Sequence, residues 1–129
     1  WSAPVDTGLI AAQSSHNLLC TSRGLLVLTH NPSAPPLRTP LTMRVSADEG
    51  RTWGPPLTIA QVTPPAPDDP VWGRQVSYPS VAELPDGTLV VVWADLVLSN
   101  DHQSGVIRAA RVQLDESAHP EHQESTQSN

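Results

Sequence analysis

Apolar residues in this chain gather in short Val- and Leu-rich runs, separated by clusters of Gly, Pro, Asn and Asp. Runs of that length, bounded by turn formers, predict strands. Residues 18–31, LLCTSRGLLVLTHN, read as two short strands joined at Arg23-Gly24. Residues 79–96, PSVAELPDGTLVVVWADL, read as a second hairpin. Its Asp86-Gly87 pair supplies the positive φ angles of a tight turn. A further strand follows each hairpin after a loop: LTMRVS at 41–46 and GVIRAARVQL at 105–114. Residues 57–60 add an edge strand.

The two sections match one another. Gly24 recurs as Gly87 and Arg44 as Arg108 at nearly equal offset, each glycine leading into an apolar strand. Two copies of a hairpin-plus-strand unit are the pattern of β-propeller blades. The predicted fold is all-β, with about two to three antiparallel blades. Residues 62–76 hold four prolines and two aspartates and cannot form a central strand; Trp72 within them favours packing. From Asp115 onward no aliphatic residue larger than Ala occurs, which predicts a disordered acidic tail. The expected organisation is one β domain over residues 1–113 and a tail over 114–129.

Composition narrows the function classes. The 129 residues include 14 Pro, no Phe and no Lys, so all seven basic side chains are Arg. The formal charge is −6, but Asp115, Glu116, Glu121 and Glu124 belong to the tail. The body is nearly neutral, which argues against nucleic acid as a partner. The lone Cys20 cannot form an internal disulfide and leaves the compartment open. No apolar run reaches the length of a membrane span. The chain opens on Trp1 and reads as the interior of a longer protein.

The stretch SADEGRTWG at 46–54 has its own logic. Asp48 can accept hydrogen bonds from amides two or three positions onward, and Gly50 supplies a conformation that a Cβ would penalise. Ser46 and Thr52 carry hydroxyls that can bond across the turn, and Trp53 buries a large ring. The expected result is a self-satisfied corner pinned by tryptophan. Its role is structural.

Other candidates carry less. His119 and His122 lie in the tail without a third ligand, so neither a metal nor a cofactor is expected. His16 and His30 read as structural residues at strand ends. Arg44 and Arg108 sit within strands, facing solvent or pairing with acids, and Arg74 stands just before Tyr78. Glu83 and Asp86 are a strand and a turn residue, not an acid–base pair. Asn31-Pro32-Ser33 is excluded from glycosylation by its central proline.

The pattern Ser-x-Asp-x-Gly-x-Thr-Trp resembles the Asp-box, or bacterial neuraminidase repeat, found at blade corners of sialidase-type propellers. The opening WSAPVDTGL looks like the end of a preceding Asp-box blade. Residues 1–112 resemble the last third of a sialidase domain of the six-bladed type. That resemblance implies an exo-α-sialidase acting on a sialylated glycan or similar acidic sugar. Arg38, shortly before the Asp-box strand, matches the third arginine of the triad that clamps the substrate carboxylate. Planar guanidinium suits that task through two parallel hydrogen bonds. Tyr78 matches the family's catalytic tyrosine, the nucleophile in these exceptional glycosidases. Pro79 departs from the serine usual in that position. The glutamate base, the acid aspartate and two further arginines belong to upstream blades, so the isolated chain is expected to be inactive. Two rival readings stay open: a glycan-binding propeller that does not hydrolyse, or cleaves a different sugar, and a purely structural Asp-box propeller.

Overall fold

The computed structural model describes residues 1–62, 73–99 and 103–115. Most of the proline-rich segment, with Trp72, and nearly all of the acidic tail lie outside the described residues, as do His119 and His122. Two antiparallel sheets make up the fold, and no helix occurs among the described residues. The first is four-stranded, in the order β1 (Asn17–Cys20), β2 (Leu26–His30), β3 (Leu41–Ser46) and β4 (Leu57–Ala60). The second holds β5 (Arg74–Glu83), β6 (Leu89–Leu98) and β7 (Gln103–Val112). Strands neighbour one another in chain order throughout, as in blades of a propeller. The all-β, blade-like expectation holds.

The repeat seen in the sequence is repeated in hydrogen bonds. At the first hairpin tip, Thr21 N donates to Leu25 O (2.8 Å) and Gly24 N to Thr21 O (3.0 Å). At the second, Leu84 N donates to Thr88 O (2.8 Å) and Gly87 N to Leu84 O (2.9 Å). Gly24 and Gly87 take the same left-handed conformation, at φ 81° and 89°. The tips are also tied together: both carboxylate oxygens of Glu83 accept from Ser22 N, at 3.0 and 3.1 Å.

One core lies between the sheets. Val27, Leu41 and Met43 from the first meet Val76, Val81, Leu89, Val91 and Trp93 from the second. In β6 the period-two pattern is clean, with Leu89, Val91 and Trp93 buried and Val90 and Val92 half-buried between them. Each such aliphatic side chain contributes about 1.5–3 kcal/mol over leaving it exposed. Leu114 packs against this cluster, and its carbonyl accepts from Arg23 Nη2 at 3.3 Å.

Two local expectations need correction. The strand containing Tyr78 begins at Arg74, before the proline that seemed to open it. Its alternation is hidden because Gln75, Val76 and Ser77 are buried in succession. A β-bulge follows them, a register shift between Ser77 and Ser80: Ser77 pairs Ala94 whereas Ser80 pairs Val92, one extra residue on β5. Pro79 sits in that bulge, where its missing N–H does least harm. In the 46–54 corner, Asp48 reaches further than two or three residues. Its Oδ1 accepts from Thr52 N at 2.8 Å, while Ser46 Oγ accepts from Gly50 N at 2.8 Å.

Candidate functional site

Arg38 lies on the loop between β2 and β3, which is folded on itself and on β5. Ser33 Oγ donates to Leu37 O (2.7 Å), and Leu37 N to Ala34 O (3.1 Å). The peptide bonds preceding Pro36 and Pro40 are cis. Val76 N donates to Arg38 O at 3.0 Å, so the backbone of Arg38 is docked onto the strand that carries Tyr78. Arg38 itself is half-buried.

The two candidates, forty positions apart, meet here. Arg38 Nη1 donates to Tyr78 Oη at 2.7 Å, and the guanidinium carbon lies 5.4 Å from the centre of the ring. Both geometries are attractive for a cation beside a phenol. Tyr78 is 48% exposed and holds φ at 56°. An aromatic residue in the left-handed region costs about 1–2 kcal/mol, and such outliers gather at functional sites. At the bulge this side chain faces outward, between buried Ser77 and buried Pro79.

Gln75 is the residue the sequence did not flag. It is buried, and its Oε1 accepts from Arg38 Nη1 at 3.3 Å and from Ser77 Oγ at 3.1 Å. Together with Gln13 and Pro36, Arg38 and Gln75 line an open cavity of about 290 Å³. No spacing rule marks Gln75, because its role depends on a loop arginine 37 positions away that packs against it. What the arrangement offers is a fixed cation at a shallow pocket, beside a solvent-facing phenol. It suits an anionic ligand with a reacting centre near the phenol oxygen.

The remaining candidates are occupied elsewhere. Asp95 pairs with Arg108 Nε at 2.6 Å and lies 3.8 Å from Arg74 Nη2. Arg44 Nη1 donates to Gly54 O at 2.8 Å. Asp86 caps its own turn through Thr88 N at 2.9 Å, and that bond to Thr88 holds its carboxyl below the usual range. His30 is buried, and burial, then the charges of Arg44 and His16, push its imidazole down. Among the described residues no group of three His, Cys, Asp or Glu could hold a metal.

The sequence profile of the BNR repeat-like domain matches residues 1–91, most of the described fold. The chain belongs to the BNR repeat-like domain family. Among solved structures it is similar to a polysaccharide lyase of a new family, ulvan lyase, both free and bound to -[GlcA(1-4)Rha3S]-. Each match has a TM-score of 0.50 and 17% identity, covering 69% of this chain and 19% of the lyase. At that identity the likeness is one of fold. The chain thus spans about a fifth of the lyase chain's length. No curated protein matches it in sequence.

Proposed function

We propose that this BNR repeat-like chain supplies part of the active site of a propeller enzyme acting on acidic sugars of the sialic acid type. Residues 46–53 are an Asp-box in this reading, and further blades of the same protein supply the rest of the site. Arg38 binds the sugar carboxylate, and Tyr78 Oη attacks the anomeric carbon as its proton passes to a base. The aglycone oxygen leaves with a proton from an acid, and the further blades supply both base and acid. The observation that carries the reading is the 2.7 Å contact of Arg38 Nη1 with an exposed, left-handed Tyr78. A phenol is a fitting nucleophile beside a carboxylate-bearing carbon, because the neutral group meets less repulsion than a carboxylate. The retaining, covalent route follows from that choice. Support for a sugar-acting role also comes from the family and from the carbohydrate-bound relative in fold.

A second reading rests on that relative, a lyase with a GlcA-containing polymer bound. GlcA also carries a carboxylate. With the same residues, Arg38 would neutralise the carboxylate while the phenol oxygen takes or returns a proton during β-elimination. The test is product analysis with the protein containing all its blades, offered sialosides and uronate polymers in turn. Free sialic acid supports the hydrolase. Unsaturated uronate ends, read by their ultraviolet absorbance, support the lyase. Neither product from either class would overturn both.

A further inference from the structure

Asn31 ends the first hairpin, where the sequence offered only a failed glycosylation motif. It is 1% exposed, and every polar atom of its side chain is engaged. Its Nδ2 donates to Pro40 O at 2.9 Å and to Val76 O at 2.8 Å. Its Oδ1 accepts from Ser14 Oγ at 2.8 Å, and its backbone oxygen accepts from Ala12 N at 3.0 Å. Pro40 lies two residues after Arg38, and Val76 two residues before Tyr78. One amide group therefore bridges the loop that carries the cation and the strand that carries the phenol.

We infer that Asn31 is a positioning residue, setting the distance between the Arg38 guanidinium and the Tyr78 phenol. The inference rests on the acidic-sugar reading for its purpose, but its geometry stands apart from it. The chemistry requires an amide. Two carbonyls, one of them buried, converge on one atom, so that atom must carry two hydrogens, and Asn offers them on a stem short enough for the space. Without it, the backbone of the Arg38 loop keeps only the Val76 N to Arg38 O bond on this strand, the remaining ties being those of the Arg38 guanidinium to Gln75 and Tyr78, and two carbonyls lose their donor. Ser14 fixes which way the amide faces, which brings the segment before β1 into the same arrangement.

The chain has a single tyrosine, so tyrosine spectroscopy reads this site alone. The ring's Raman doublet changes its intensity ratio according to whether the phenol oxygen accepts or donates hydrogen bonds. Arg38→Ala sets the reference for loss of the accepted bond. Asn31→Ala is expected to shift the ratio most of the way to that reference, and Asn31→Asp to do the same near neutral pH. Acid should partly restore Asn31→Asp, because a protonated carboxyl regains one donor. Ser14→Ala, at a half-buried position that tolerates truncation, should move the ratio a smaller distance in the same direction. A purely structural role for Asn31 would lower the melting temperature and leave the ratio where it is. Unchanged ratios in the folded variants, Ser14→Ala included, would overturn the inference. Binding of N-acetylneuraminate and glucuronate is measured in parallel. If neither sugar binds the protein containing all its blades while the Raman shifts appear in this chain, the functional reading fails and the positioning role stands.

Discussion

The corner at residues 46–54 and the bulge at Tyr78 each hold a non-glycine residue at positive φ, 61° at Glu49 and 56° at Tyr78. Their surroundings differ. In the corner the bonds close inward: Ser46 Oγ, Asp48 Oδ1 and Asp48 Oδ2 take the protons of Gly50 N, Thr52 N and Thr52 Oγ1. Glu49 merely passes over the turn, with an exposed side chain whose nearest cation, Arg51, is 3.9 Å away. At the bulge the strained residue is itself the group presented to solvent, and a cation is aimed at its one polar atom. Strain that shapes a turn ends in satisfied backbone amides. Strain that displays a side chain points to a task for that side chain.

The largest effect that could break this comparison is chemical. Tyr78→Phe keeps the ring, the bulge and the backbone conformation, removing only the phenol oxygen. In the protein with all its blades, sugar binding should survive while turnover falls by on the order of 10³ or more, as for loss of a covalent nucleophile or proton carrier. Steady-state kinetics alongside equilibrium binding would check it. Full activity with Phe at this position would reduce the bulge to another structural corner.

Arg38 comes next. Arg38→Ala should cost about 3 kcal/mol in acidic-sugar binding, on the order of 100-fold, for two charge-assisted hydrogen bonds. Arg38→Lys should recover only part, since a point charge lacks the planar fork. Titration calorimetry separates these cases. If Lys serves as well as Arg, the cation is a general electrostatic aid and not a carboxylate clamp.

A good deal of this molecule was legible in its sequence, for reasons that differ by region. β6 could be read because Leu89, Val91 and Trp93 alternate without interruption and Gly87 marks the turn. The repeat could be read because glycine at positive φ cannot be replaced cheaply in either tip. Arg38 and Tyr78 could be singled out only by likeness, since no periodicity links a loop arginine to a strand tyrosine. What the sequence hid was the bulge, the start of β5 and the role of Gln75. Three buried residues in succession look like a break in a strand until the loop packed along them is known, with Val76 N donating to Arg38 O and Gln75 Oε1 accepting from Arg38 Nη1. Asn31 was hidden differently: a buried amide that bridges two carbonyls distant in sequence leaves no local pattern at all.

The corner makes its own prediction, smaller in effect. Trp53, expected to bury its ring and pin the corner, is half-buried, packed near Gly50, with its indole Nε1 buried and lacking a hydrogen-bond partner. Trp53→Ala should therefore destabilise by about 3 kcal/mol, the low end for a large aromatic, while leaving the Tyr78 Raman doublet untouched. A denaturant melt gives the first and the spectrum the second. A moved doublet would mean that corner and site are coupled, and that their separation is wrong.

Acid offers the finest resolution between the two kinds of polar group. Hydrogen bonds from Thr52, side chain first and then backbone, hold the Asp48 carboxyl at about 2, below its ordinary 3.8. A carboxyl depressed on folding gives stability that is present above its unfolded value and lost as pH falls through the folded one. The Asp48 share is therefore complete above about pH 4 and fades toward pH 2. His30 acts earlier. Burial, then Arg44 and His16, lower its imidazole from 6.5, so the folded protein keeps it neutral where the unfolded chain takes a proton. Its contribution is complete above about pH 6.5 and declines below. Stability measured by denaturant melts from pH 7 to pH 2 should fall in two stages. His30→Gln should flatten the upper stage, and Asp48→Asn should shrink the lower, which Asp86 shares. Asp48→Asn also removes the charged acceptor, so its melt at pH 7 should already match the acid-weakened corner of the native chain. If a single stage near pH 4 remains in both variants, neither residue controls the acid response, and the hydrogen bonds of the corner contribute less than their short distances imply.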